Sequence, residues 1–251
     1  MGSLDGKVAL VTGAGAGLGR AVALCLAAEG AHVFAVSLVR SELEELEDLA
    51  RGIAGSGLAI ATIEADVGDE ADTARVADTV LEDRGRLDVL VNNAGIIAVK
   101  PIEETEPVEW DRILRTNLRG PYLYCRAFVP GMKYRREGTI INVTSMSGVE
   151  GFIGEAAYCP SKFGLEGLTQ TLALELAPWS IRVCSVHPGV PMRTPMSATT
   201  YDEEARSKWV DPAELAPGFV SLAAAPGQSI SGRRFDAWQV AHDGVPGAIT
   251  S

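Results

Sequence analysis

Tyr158 and Lys162 stand four residues apart at the start of a run that reads as a helix. Residues at i and i+4 share a helix face, so the ammonium can stand beside the phenol. A free phenol ionises near pH ~10 and is a poor proton donor or acceptor at neutrality. A neighbouring positive charge favours the phenolate and lowers that value, and general acid–base catalysis works best when the pKa lies near working pH. The pair is therefore a candidate acid–base centre. The spacing alone occurs by chance in many helices, and it gains weight from the elements that precede it.

Those elements alternate. Residues 8–11 form a short apolar run that reads as a buried parallel strand. Gly13-Ala14-Gly15-Ala16-Gly17-Leu18-Gly19 follows, and then a helical run, 20–29. Strand, glycine loop and helix together make a phosphate cradle, because glycines let the backbone approach a pyrophosphate and the helix start offers free N–H groups. The pattern is T-G-x-x-x-G-x-G rather than G-x-G-x-x-G. A strand at 32–37 leads to an amphipathic helix at 41–54, with Ser41 as N-cap and Glu44 closing a capping box. Gly55-Ser56-Gly57 breaks the chain. A third strand at 58–63 and a helix at 69–84 follow, then a fourth strand at 87–91 ending in Asn92-Asn93-Ala94-Gly95.

Next comes a helical stretch from Pro107, kinked or divided at Gly120-Pro121 and continuing to Met132. The strand 139–144 ends in Ser145-Met146-Ser147-Gly148, and a glycine-rich loop leads to the helix 158–176. The strand 181–186 ends in His187-Pro188-Gly189. Residues 194–206 read as a polar loop, 211–225 as a helix with Asp211 as N-cap and Pro212 at N1, and 233–238 as a short last strand. The alternation implies one α/β domain over 1–251, a doubly wound parallel sheet with helices on both faces. Ligands bind at the carboxyl ends of such strands, and there every unusual motif lies.

Composition excludes other classes. The 251 residues are 47% hydrophobic and carry a net charge of −11, with one denser acidic run at 42–48. No basic stripe exists to meet the phosphates of nucleic acid or an anionic membrane. Cys25, Cys125, Cys159 and Cys184 form no C-x-x-C and read as reduced packing residues of a cytoplasmic protein. His32, His187 and His242 have no metal-ligand spacing. The apolar runs at 8–11 and 21–28 are too short for a signal peptide or a membrane span.

Taken together, the motifs resemble the short-chain dehydrogenase/reductase family in its classical form, from Gly6 to about Trp238. The resemblance rests on Thr12-Gly13-x-x-x-Gly17-x-Gly19, Asp66, Asn92-Asn93-Ala94-Gly95, Asn117, Ser145, Tyr158-x-x-x-Lys162 and Pro188-Gly189 in the family's order. It implies a Rossmann-type sheet of about seven strands, order 3-2-1-4-5-6-7, and an oxidoreductase interconverting a ketone or aldehyde and an alcohol. Tyr158 would be the general acid in reduction and the base in oxidation. Lys162 would lower its pKa and hold the nicotinamide ribose. Ser145, 13 residues before Tyr158, would bond the substrate oxygen, and Asn117 would hold a water relaying protons from Lys162.

Gly13, Gly17, Leu18, Gly19, Ser37, Leu38, Asp66, Val67, Asn93, Ala94, Gly95, Pro188, Gly189 and Thr194 would line the nucleotide site with Tyr158 and Lys162. Asp66 would lie near adenine, or cap its own loop. Thr194 lies six residues after Pro188, where the family more often has five. A homotetramer or homodimer is implied.

Cofactor choice departs from the usual devices. An acidic residue ending strand two would favour NAD, and an arginine just after it would accept the 2′-phosphate of NADP. Ser37-Leu38 offers neither, and Arg40 is the residue that would reach a 2′-phosphate. The reading leans slightly to NADPH, with acceptance of both open. Ile96-Ile97, 146–152 and 190–196 would line an apolar substrate pocket beneath a loop at about 190–210, suiting an uncharged apolar or aromatic ketone. The alternative from another class is a non-catalytic dinucleotide sensor, which should have lost Tyr158, Lys162 or Ser145. A nucleotide-sugar epimerase would need a longer chain.

Overall fold

A computed structural model describes residues 2–53, 57–200 and 206–246. In chain order the main elements are β1 (Val8–Thr12), α1 (Gly17–Ala28), β2 (His32–Ser37), α2 (Arg40–Gly52), β3 (Ile60–Glu64), α3 (Glu70–Arg84) and β4 (Val89–Asn92). There follow α4 (Pro107–Leu114), α5 (Gly120–Arg135), β5 (Gly138–Val143), α6 (Tyr158–Leu176), β6 (Ile181–His187), α7 (Pro195–Thr200), α8 (Ala216–Ala224), β7 (Arg234–Asp236) and α9 (Ala237–Asp243). The strands form one parallel sheet in the order β3-β2-β1-β4-β5-β6-β7.

The strand sequences explain the layering. Ala9 and Val11 of β1 join one core, Val8 and Leu10 another, because successive side chains of a strand point to opposite faces. Val33 and Ala35 against Phe34 and Val36 repeat the division in β2, as Val89 and Val91 against Leu90 do in β4. A strand apolar on both faces needs cover on both. On one face α1 contributes Leu18, Val22 and Leu26, and α8 adds Phe219 and Leu222. On the other, α3, α5 and α6 contribute Val76, Val80, Tyr124, Phe128 and Leu176. Each such side chain contributes about 1.5–3 kcal/mol when fully buried.

Several expected boundaries move. Helix α2 starts at Arg40 with Val39 before it and no side-chain cap. The expected Ser41–Glu44 box does not form, because Glu44 instead accepts a hydrogen bond from Arg40 Nε at 3.1 Å. The interruption before α5 is a π turn at Arg115–Arg119, not a break at Gly120-Pro121. Residues 195–200 are helical rather than loop, because Thr194 Oγ1 accepts the Ser197 N–H at 3.0 Å and starts a turn. Asp211 does form a capping box with Glu214, but around a single 3-10 turn, Pro212–Glu214, ahead of α8. Strand β7 stops at Asp236, which accepts the Gln239 N–H at 3.0 Å and caps α9. The expected helix end at Ala54, the break at Gly55-Ser56 and positions 201–205 of the expected loop lie outside the described residues.

Candidate active site

At the carboxyl ends of the strands lies a cavity of about 650 Å³. One wall is the loop between β1 and α1. Gly13 has φ +63°, and a Cβ there would stand 2.8 Å from the Ala94 Cα; an L side chain fits neither the angle nor the space. A Cβ on Gly19 would meet the Gly13 carbonyl at 2.1 Å. The start of α1 has no side-chain cap and no acidic residue in its first turn, so its free N–H groups and positive potential face the cavity for an anion. Thr12 locks the loop to β4: its Oγ1 accepts the N–H groups of Asn93 and Ala94 at 3.0 and 3.1 Å, while Asn93 Nδ2 donates to the Thr12 carbonyl at 2.9 Å. The residues present fit a dinucleotide's pyrophosphate at this wall.

Tyr158 and Lys162 form another wall, one turn apart at the start of α6. Lys162 is 3% exposed. Its Nζ donates to the Val143 carbonyl at 2.9 Å and lies 5.6 Å from the centroid of the Tyr158 ring. Burial pushes the Lys162 ammonium down to about 8, with the Glu166 carboxylate opposing the shift. Asn117, fully buried in the π turn, accepts the Ile96 N–H at 2.8 Å and donates from Nδ2 to the Ile96 carbonyl at 2.9 Å and to Ser161 Oγ at 3.0 Å. A Cβ on Gly95 would lie 3.4 Å from Asn117 Oδ1 and 3.5 Å from Lys162 Nζ, so these two groups flank one glycine. Behind them Asn92 Nδ2 donates to Asn142 Oδ1 at 2.8 Å, and Asn142 Nδ2 to Thr169 Oγ1 at 2.9 Å, tying β4, β5 and α6 together.

Of the sequence-derived nucleotide candidates, Gly13, Gly17, Leu18, Gly19, Ser37, Leu38, Asp66, Val67, Asn93, Ala94, Gly95, Tyr158, Lys162, Pro188 and Thr194 all line the cavity. Gly189 does not; it is a turn residue with φ +82°, where a Cβ would strike the Asp236 carboxylate at 2.0 Å. Thr194 packs its methyl 3.1 Å from the Cβ position of Gly17, beside the cavity, while its hydroxyl is 2.8 Å from that of Ser197. Asp66 combines two roles. It accepts the Gly68 N–H of its own loop at 2.8 Å and pairs with Arg115 at 2.7 Å.

Ser145 lies at the end of β5 but off the cavity wall. Its hydroxyl donates to Ser147 Oγ and accepts the Ser147 N–H, both at 3.2 Å. The expected pocket residues Ile96, Ile97, Met192 and Met196 line the cavity, whereas 146–152 do not. Met146 is drawn toward β7, its sulfur 3.5 Å from an Arg234 guanidinium nitrogen. Two lining residues, Glu42 and Arg115, have no signature in the sequence beyond their charge; Glu42 sits in the first turn of the helix after β2, and Arg115 in the π turn.

A sequence model of the short chain dehydrogenases matches residues 7–205. The chain belongs to the short-chain dehydrogenase family. It is accordingly an NAD(P)-dependent oxidoreductase acting on CH–OH and carbonyl groups. A cyclopentanol dehydrogenase of Comamonas sp. (strain NCIMB 9872) is 39% identical over 228 residues, 90% of this chain and 87% of that one. A trans-4-hydroxycyclohexanecarboxylate dehydrogenase of Sinomonas cyclohexanicum is 42% identical over 195 residues, 76% of this short-chain dehydrogenase and 74% of that protein. Among solved structures, a metagenomic short-chain oxidoreductase in complex with NADP superposes with TM-score 0.80 at 34% identity, covering 93% of this chain and 97% of that one. A 3-ketoacyl-(acyl-carrier-protein) reductase from Brucella melitensis complexed with NADH gives TM-score 0.83 at 34% identity, covering 93% and 97%.

Proposed function

We propose that this dehydrogenase interconverts an uncharged, apolar secondary alcohol and its ketone, with Tyr158 as the acid–base residue. The observation that carries the reading is Tyr158 beside Lys162 on the same cavity as the glycine loop, with Lys162 and Asn117 flanking Gly95. Bound NAD(P)(H) supplies or accepts the hydride. The chain's own work is to hold the nucleotide, orient the substrate and move one proton. In reduction the Tyr158 hydroxyl gives its proton to the substrate oxygen as charge builds there; in oxidation the same oxygen takes the proton back. Lys162 keeps positive charge beside that exchange and would hold the nicotinamide ribose. Asn117 fixes the backbone at Ile96 and would support a water relay from Lys162. Ser145 would turn its hydroxyl from Ser147 to the substrate oxygen.

Ile96, Ile97, Met192, Pro195 and Met196 offer apolar surface to the substrate. The relatives named for cyclic secondary alcohols make cyclopentanol and cyclohexanol derivatives the first compounds to try. The reading includes assembly as a homotetramer or homodimer, supported by the exposed apolar side chains Tyr122, Phe163 and Leu174 on α5 and α6. It also includes a reducing, cytoplasmic setting, supported by four unpaired cysteines.

Consumption of NADH and NADPH with cyclic, aromatic and charged ketones tests the reading, with Tyr158→Phe as control. Turnover of the apolar ketones should fall by about 10²–10⁴-fold in the control, while nucleotide still binds. Turnover confined to charged keto acids, or unaffected by the substitution, would overturn it.

A further inference from the structure

We propose that Glu42 sets nucleotide preference and makes this enzyme select NAD(H) over NADP(H); the proposal rests on reading the cavity as a dinucleotide site. Glu42 is half-buried in the first turn of α2 and lines the cavity together with Ser37, Leu38 and Val39. Its carboxylate reaches back across five residues to the end of β2, where Oε2 accepts a hydrogen bond from Ser37 Oγ at 3.1 Å. The glycine loop makes room for it. A Cβ on Gly15 would stand 2.5 Å from Glu42 Oε2 and 2.6 Å from Ser37 Oγ. A carboxylate thus lies against the phosphate-binding loop at the end of β2, the place where an acidic residue takes the adenosine ribose hydroxyls and an arginine takes a 2′-phosphate. Serine and glutamate together supply what one aspartate supplies elsewhere.

The cations nearby are committed to other partners. Arg20 donates to the Gly15 carbonyl at 2.6 Å and pairs with Glu45 at 2.8 Å. Arg40 pairs with Glu44 and Glu47 at 3.1 and 3.4 Å. Neither lines the cavity. The cations that do, Arg112, Arg115 and Lys162, come from α4, the π turn and α6, and Arg115 is itself paired with Asp66. A 2′-phosphate here meets a carboxylate, and like charges at close range oppose binding. A ribose hydroxyl meets an acceptor. Solved relatives are bound to either nucleotide, so the fold alone does not set the preference.

Calorimetric titration of the whole enzyme with NADH, NADPH, ADP-ribose and 2′-phospho-ADP-ribose tests this without any turnover. The unphosphorylated member of each pair should bind about tenfold to a hundredfold more tightly. Glu42→Gln, which keeps the shape and the Ser37 contact, should shrink that ratio at least fivefold, chiefly by tightening the 2′-phosphorylated ligands. Equal or tighter binding of NADPH by the wild type, or an unchanged ratio in Glu42→Gln, would overturn the assignment while leaving the dinucleotide site standing. If none of the four ligands binds, the dinucleotide reading fails and this assignment with it.

Discussion

Lys162 is the residue on which burial and chemistry meet most directly. Its ammonium sits inside the protein with the Val143 carbonyl as hydrogen-bond partner, and its pKa falls to about 8. In the unfolded chain it returns to roughly 10.4. Between those values the unfolded chain holds a proton that the native one has released, so stability rises with pH across the window, by up to about 3 kcal/mol. Below the native value the cost of the buried charge is present in full. Urea unfolding of the nucleotide-free enzyme at pH 8 and pH 10 reads this directly. The gap between wild type and Lys162→Met should move in the wild type's favour at the higher pH; an identical gap at both would contradict the assignment.

At the scale of elements, the π turn between α4 and α5 positions the site. Its extra residue per turn accommodates Asn117, whose amide replaces a missing backbone partner for both groups of Ile96. Asn117→Ala leaves the partly buried Ile96 groups and the buried Ser161 Oγ without that partner, which should cost about 1–3 kcal/mol. Chemical denaturation should show the loss together with a fall in kcat, since Ile96 lines the cavity. Helix α3 makes a useful contrast. Asp69 accepts the Asp72 N–H at 3.0 Å and caps it without lining the cavity. Asp69→Ala should cost about 1 kcal/mol, seen as a lower Tm, with kcat retained.

For the whole molecule, two histidines packed into the layers add to its acid sensitivity between pH 7 and pH 5. His187 ends β6, and burial first, then Arg234, pushes its pKa below the ordinary value. His32 at the start of β2 shifts the same way, burial again first. Both take up a proton less readily in the native state than in the unfolded chain, which protonates near ~6.5. The stability they contribute is present above that pH and is lost as pH falls through it. Melting curves from pH 7 to pH 5 should therefore drop more steeply for the wild type than for His187→Gln. Equal slopes would place the acid sensitivity elsewhere.

The amino-acid sequence by itself determined the order of strands and helices, the glycine loop, and the placing of Tyr158 and Lys162 on one helix face; Asn117 was joined to them only through the family resemblance. Local periodicity and short fixed spacings carry that information, because a strand's period of two and a helix's turn need only neighbouring residues. Only the tertiary structure decided what depends on side chains arriving from elsewhere. Ser37-Leu38 reads as a strand end without a charge, and the lean to NADPH followed from that. Folding then lays the Glu42 carboxylate across Ser37, over a Gly15 that leaves it room. Arg115 reaches Asp66 from 49 residues away, and Arg234 draws Met146 off the cavity wall from 88 residues away. Such contacts have no spacing to be read, since they arise from where packed layers bring surfaces together.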